Sequence, residues 1–245
     1  IQRLVLLLMN KFDRKGWISY LKNCAASAEE NQAVIRELLA RGVERFIFIG
    51  TPNGYAEIEE EIQRKNRFVC GYSPYFQYGA LNDQLQSIQE TIRYFRQKKH
   101  SRLKILFRTN RPERRQAMLD MFPGMSPEEV EEKYTYPLNF NGEVDNIDVL
   151  TDLGYQATRS VLEEDPSTDA LYYLSDYFML GGIRYLVEKR FRIGKQILLC
   201  GSNNIHAVRN NVFPLATWEF DLERLSDCLV TDPADFIPGV EVVKS

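Results

Sequence analysis

The sequence predicts an α/β protein built from two similar, doubly wound parallel-sheet subdomains. Short β-branched and aromatic runs alternate with amphipathic stretches, and the links between them are short. The strand-like runs are continuously apolar rather than alternating, as parallel strands covered by helices on both faces should be. About seven such units exceed what one open sheet of this kind usually holds, so two subdomains are expected.

Taken in order, the first element is ambiguous. "RLVLLLMN" could be a strand, but Leu4, Leu7, Leu8 and Phe12 form a stripe at helical spacing that ends at Gly16, which favours a helix. A helix here would place its preceding strand upstream of Ile1. "WISYL" (Trp17 to Leu21), "RFIFIG" (Arg45 to Gly50), "RFVCGY" (Arg67 to Tyr72), "LKILFR" (Leu103 to Arg108), "ALYYL" (Ala170 to Leu174) and "QILLCG" (Gln196 to Gly201) read as buried strands. In "SAEENQAVIRELLARG", acidic residues open a helix, Ala33, Val34, Leu38 and Leu39 recur on one face, and Gly42 closes it. Further helices are expected near 55–65, 83–97, 113–122, 155–163 and 177–190. The stretch 123–150 is less regular, with an acidic capped turn at Ser126 to Glu132 and a strand around Tyr134 to Leu138.

Composition excludes several classes. With 245 residues, 44% of them hydrophobic and 27% charged, the chain can bury a core. A net charge of −3 and the lack of a basic block argue against phosphate-backbone binding by these residues. Cys24, Cys70, Cys200 and Cys228 lie far apart among apolar neighbours, so buried reduced thiols and a cytoplasmic setting are expected. The N-terminal apolar run is too short to span a bilayer, and it lacks the small-residue cleavage site of a signal peptide.

Chemistry-bearing patterns are sparse. The sequence has no glycine-rich dinucleotide fingerprint, phosphate loop, nucleophile elbow or metal-ligand spacing, so no enzyme activity and no cofactor is expected. His100 falls between a helix and a strand, in a capping or exposed position, and His206 follows a strand with no nucleophile to pair with. What stands out is polar residues at the carboxyl ends of the expected strands, where open α/β sheets bind ligands: Tyr72-Ser73, Arg108-Thr109-Asn110, Ser175-Asp176 and Ser202-Asn203-Asn204. Each alone has a local explanation, since Asp176 could cap a helix starting at Tyr177 and the asparagines suit a turn. Together they offer the donors and acceptors that a hydroxyl-rich ligand needs.

The order of these residues resembles the effector-binding domain of LacI/GalR-type transcriptional regulators, which have the fold of the type I periplasmic sugar-binding proteins. "SDYFMLGGIRYLVEKRFRIGKQILLCGSNN" is similar to that family's "N-D-x-x-A-x-G … G-[FY]-D-D" run, and Pro214-Leu215-Ala216-Thr217 to its "P-L-T-T". "QAVIRELLARGVERFIFIG", "ERRQAML" and "GYQATRSVLEEDPSTDALYY" resemble other family stretches in the right order.

The resemblance implies a ligand site. It puts Arg115 at the family's ligand-gripping arginine, Ser175 and Asp176 at its "N-D", and Asn203 at the first aspartate of "D-D". Tyr72 or Ser73 would stand near a cleft position, and Val149 and Leu222 would replace aromatic residues that stack on the ligand ring. It also implies a three-segment hinge near Gly79 to Asp83, Ser202 to Asn204 and Phe220 to Leu222. One subdomain would comprise 1–80 plus 205–220 and the other 81–204 plus 221–245. The implied function is binding of a sugar-like effector by a homodimeric, cytoplasmic regulator that reaches operator DNA through an upstream module and has no membrane partner. A secreted sugar-binding protein of a transport system is the alternative, since it would share fold and pocket.

Overall fold

A computed structural model describes residues 2–107, 112–138, 146–235 and 238–244. The described chain forms two units, residues 2–83 with 221–244 and residues 84–220.

In the first unit, four parallel strands lie in the order β1 (Arg45–Ile49), β2 (Phe68–Tyr72), β3 (Tyr78–Asn82), β9 (Gly239–Val243). Side chains leave successive strand residues on opposite faces, and the core divides accordingly. Phe46, Phe48 and Val69 pack with Ile35 and Leu38 of α2 (Ala28–Ala40) and with Ile58 and Ile62 of α3 (Tyr55–Arg64). Ile47, Ile49 and Cys70 face Leu4 and Leu8 of α1 (Gln2–Arg14) and Leu225 and Leu229 of α10 (Leu222–Val230). The stripe read from Leu4, Leu8 and Phe12 is therefore a helix, as favoured above. Ser27 caps α2 by accepting from Glu30 N at 3.1 Å, worth about 1 kcal/mol. Arg45 Nη2 donates to Leu229 O at 2.8 Å and Thr231 O at 2.6 Å, which ties the start of β1 to the last carbonyls of α10.

The second unit holds five parallel strands in the order β5 (Thr135–Pro137), β4 (Leu103–Phe107), β6 (Ala170–Tyr173), β7 (Leu198–Ser202), β8 (Ala216–Trp218). Leu103, Ile105, Ala170, Tyr172 and Cys200 face α4 (Gln84–Gln97), α5 (Pro112–Leu119) and α6 (Pro127–Tyr134). Leu106, Leu171, Tyr173 and Leu199 face α7 (Ile147–Glu164) and α8 (Asp176–Glu188). A capping box joins Ser126 to Glu129 at the start of α6, so the acidic turn read there opens a full helix. Gly154 and Gly181 let α7 and α8 touch backbone to backbone: a Cβ on Gly181 would lie 1.8 Å from Thr151 O, and one on Gly154 1.9 Å from Phe178 O. The pair Gly181-Gly182 thus serves helix–helix contact first, with Gly182 alone turned to Tyr173 of the sheet.

Several expectations need correction. "WISYL" is not a strand: residues 17–25 carry no regular structure, and Ile18 is 85% exposed. A β segment is held by hydrogen bonds to a neighbour, and none of the described strands pairs with this one. Trp17 instead stacks on Phe12 at 5.6 Å. Cys24 is exposed and Cys228 half-buried, so only Cys70 and Cys200 fit the expectation of buried thiols.

The expected boundaries are also exchanged at the C-terminus. β8 hydrogen-bonds to β7, which keeps 205–220 in the second unit, and β9 hydrogen-bonds to β3, which returns the chain after Asp221 to the first. Among the described residues the chain passes between units twice, after Asp83 and after Phe220, so the crossing expected at Ser202 to Asn204 is absent. β3 and β9, of five residues each, and β8, of three, add to the expected strands.

Candidate functional site

All five strands of the second unit run parallel, so their carboxyl ends share one edge. From β4 the chain steps outward to β5, then returns across β4 to β6, which makes the gap between β4 and β6 the topological switch point. Ligands of open α/β sheets bind at such a point, because the loops diverge there and leave a crevice. Arg108-Thr109-Asn110, expected at the end of β4, lie outside the described residues. The ends of β6 and β7 are described in full.

Asp176 dominates this edge. It is the first residue of α8 and 0% exposed. Its Oδ2 accepts from Ile205 N at 2.9 Å and its Oδ1 from Thr217 Oγ1 at 2.7 Å, with further help from the N–H groups of Ser202 and Asn204. The carboxylate therefore ties α8 to the turn after β7 and to β8. It caps nothing: the N-cap position belongs to Ser175, whose side chain makes no capping bond. Burial pushes the Asp176 carboxyl up to about 6 from its ordinary 3.8, against the opposing pull of those donors.

The turn held by Asp176 is unusual. Asn203 and Asn204 have φ of +99° and +45°, left-handed backbone that asparagine tolerates better than most residues. Asn203 N donates to Trp218 O at 2.9 Å, Asn204 N to Thr217 Oγ1 at 3.2 Å, and Asn204 Nδ2 to Glu219 Oε2 at 2.8 Å. The Asn203 side chain stays exposed.

Beneath the edge runs a buried hydroxyl chain. Tyr172 Oη donates to Ser87 Oγ of α4 at 2.9 Å and bonds Ser202 Oγ at 3.0 Å. Trp218 Nε1 donates to Thr91 Oγ1 at 2.8 Å, and Thr91 donates to Ser87 O at 2.7 Å. Burial holds the Tyr172 phenol well above its ordinary range and that of the Cys200 thiol at about 12, so both stay protonated. "ALYYL" reads as a plain core strand, and only the packing of α4 over the sheet shows that one of its tyrosines carries a polar link.

The expected site residues separate into groups. Ser175, Asp176 and Asn203 come together at the ends of β6 and β7. Arg115 does not join them: its Nη2 reaches Glu128 Oε1 at 3.1 Å and Glu131 Oε2 at 3.4 Å, across to α6. Its neighbour Arg114 points elsewhere, with Nη2 on Gln84 Oε1 at 2.5 Å and close enough to Tyr172 to ease its ionisation. Adjacent residues on a helix lie about 100° apart, so a register error of one moves the guanidinium to another face. Val149 is half-buried in the first turn of α7.

Tyr72, Ser73 and Leu222 belong to the first unit. Ser73 is buried with its Oγ 2.7 Å from Thr51 Oγ1, and Tyr72 Oη accepts from Asn82 Nδ2 at 3.0 Å. Leu222 packs, partly buried, against the α1–α10 side of the core, which assigns it a packing contact. His100 is half-buried, with Nδ1 2.9 Å from Asp169 O, and His206 is exposed at the start of α9 (His206–Arg209).

Among the described residues no cluster of three His, Cys, Asp or Glu side chains could hold a metal ion, and no helix is long and apolar enough to cross a membrane.

Comparison with known proteins places this geometry. No family model matches the chain. It is 33% identical over 78 residues to the HTH-type transcriptional repressor PurR of Pasteurella multocida, a match covering 32% of this chain and 23% of that repressor. In structure it is similar to a LacI family transcriptional regulator from Enterococcus faecium with bound ribose, at a TM-score of 0.75 and 18% identity, covering 98% of this chain and 89% of the other. It is equally similar to the Escherichia coli transcriptional repressor ascG, at 0.76 and 16% identity over 99% and 90% of the two chains. The chain thus has the fold of these LacI family regulators, two units each built on a parallel sheet.

Proposed function

We propose that the chain binds a small hydroxyl-rich effector, a sugar or sugar derivative, as the sensing part of a LacI-type transcriptional regulator. The observation that carries this reading is the assembly at the ends of β6 and β7, where a buried carboxylate holds a left-handed turn and leaves the Asn203 amide exposed. An amide both donates and accepts, which suits a vicinal hydroxyl pair. The ribose bound by the similar E. faecium regulator supports a sugar ligand. The PurR match supports a regulator over a secreted transport protein. Within this reading Ser175 and Asn203 contact the effector. The guanidinium in this reading is that of Arg114, which acts on Tyr172 beneath the same edge, whereas Arg115 reaches Glu128 and Glu131 of α6.

The regulator acts as a homodimer in the cytoplasm and reaches operator DNA through a module upstream of these residues. The effector changes DNA affinity by binding one conformation better than another. A thermal-shift panel of sugars, sugar phosphates and nucleobases tests the binding step. A compound at about 100 times its Kd should add about 2.7 kcal/mol of stability. A panel with no shift at all overturns the sugar reading, and a shift by nucleobases alone redirects it.

A further inference from the structure

We propose that Asp176 is a positioning residue for effector binding: without touching the ligand, it holds the Asn203-Asn204 turn in the backbone conformation that aims Asn203 outward. The inference rests on the proposed function above and deepens it at the same site.

Three independent observations carry it. The first is the donor set. Thr217 Oγ1 and Ile205 N donate to the two carboxylate oxygens. Every partner is a donor, and an ionised carboxylate is the one side chain that only accepts. Thr217 acts as a relay, since the same hydroxyl that donates to Asp176 accepts from Asn204 N.

The second observation is steric. Gly201 immediately precedes the turn, and a Cβ there would lie 2.0 Å from Asp176 Oδ1 and 2.7 Å from Met179 Cε. The strand has given up a side chain at the point where the carboxylate reaches across it. The third is strain. Two consecutive asparagines with positive φ are costly unless their surroundings over-determine them, and here the clamp and the Asn204–Glu219 bond do so. The burial contrast fits: the clamp is 0% exposed while the Asn203 amide it orients is exposed. A residue that only stabilised the fold would not need to converge on this turn.

The test uses Asp176→Ala, the milder Thr217→Val, Asn203→Ala and the double variant Asp176→Ala/Asn203→Ala in the full chain. Amide hydrogen exchange is read at Asn204 and Ile205, and D-ribose affinity by calorimetry. Asp176→Ala should expose both amides to exchange, and Thr217→Val that of Asn204, whose acceptor it removes, while the β4 and β6 amides stay protected. Thr217→Val keeps the measurement available if Asp176→Ala does not fold. Asp176→Ala and Asn203→Ala should each weaken ribose by about tenfold, and the double variant should be no weaker than about threefold below either, since both act through one group.

Multiplicative losses in the double variant would overturn the proposal, because Asp176 would then act independently of Asn203. Unchanged exchange at Asn204 and Ile205 would overturn it as well. If ribose fails to bind the unaltered chain, the effector reading loses ribose as its ligand and the exchange result alone decides the clamp.

Discussion

Asp176 makes a quantitative prediction about pH. Its carboxyl titrates at about 6 in the folded chain against an ordinary 3.8, because burial disfavours the charged form. The folded state therefore binds a proton more readily than the unfolded state between those two values. For such a group the stability contribution is fully present below about 3.8 and is lost as pH rises through about 6. At 1.36 kcal/mol for each pKa unit the whole effect is roughly 3 kcal/mol.

The perturbation is Asp176→Asn, which cannot ionise. Other carboxylates, such as Asp165, whose pKa is lowered by its bond to the Ser167 hydroxyl, act in both proteins and cancel in the difference. Urea unfolding should be followed by Trp218 fluorescence in a Trp17→Phe background, so that the signal reports the second unit alone. On acidification from pH 7.5 to 3.5 the unaltered protein should gain roughly 3 kcal/mol relative to Asp176→Asn. A difference that stays constant across that range would refute the reasoning, because it would mean the carboxylate does not titrate abnormally when folded.

Gly181→Ala should destabilise the second unit by about 3 kcal/mol or more, since its methyl would meet Thr151 O at 1.8 Å and backbone cannot rotate away; thermal unfolding measures it. Tyr172→Phe should cost about 1 kcal/mol in the same assay, through the hydroxyl link between Ser87 and Ser202. Arg114→Ala should weaken ribose binding, whereas Arg115→Ala should leave it unchanged and cost at most about 1 kcal/mol of stability, its partners being surface glutamates. Equal losses of affinity for both arginine variants would refute the assignment.

The limits of the sequence reading fall where a residue's partner lies far along the chain. "LKILF" and "QILLCG" announce buried strands because burial on both faces leaves a continuous apolar run, and the Leu4, Leu8, Phe12 stripe announces a helix by its spacing. "WISYL" has the same composition as those strands and fails, because composition measures suitability for a sheet and pairing is what makes one. The three-residue strand β8 is too short for any periodicity to show, and β9 follows a turn near the end. The division implied by the resemblance, with 205–220 in the first unit and 221–245 in the second, is reversed by the pairing of β8 with β7 and of β9 with β3, which no local pattern records.

The site divides in the same way. The polar clusters at strand ends were legible because α/β connectivity sends every carboxyl end to one edge. The roles of Arg115 and Asp176 are not legible locally, for different reasons: the first sits one helical step from a second arginine, Arg114, and the second is bonded to Ile205 and Thr217, 29 and 41 residues away.

By itself, then, the sequence determined the α/β class, the parallel strands, most helices and the edge at which the polar strand ends gather, because these follow from local periodicity and from the rule that consecutive parallel strands need crossovers. Only the tertiary structure decided strand order, the return of the C-terminal strand to the first unit, and the conversion of Asp176 from helix cap to buried clamp. Those depend on hydrogen bonds between segments far apart in the chain, and nothing in the neighbours of a residue records which distant donor it will meet.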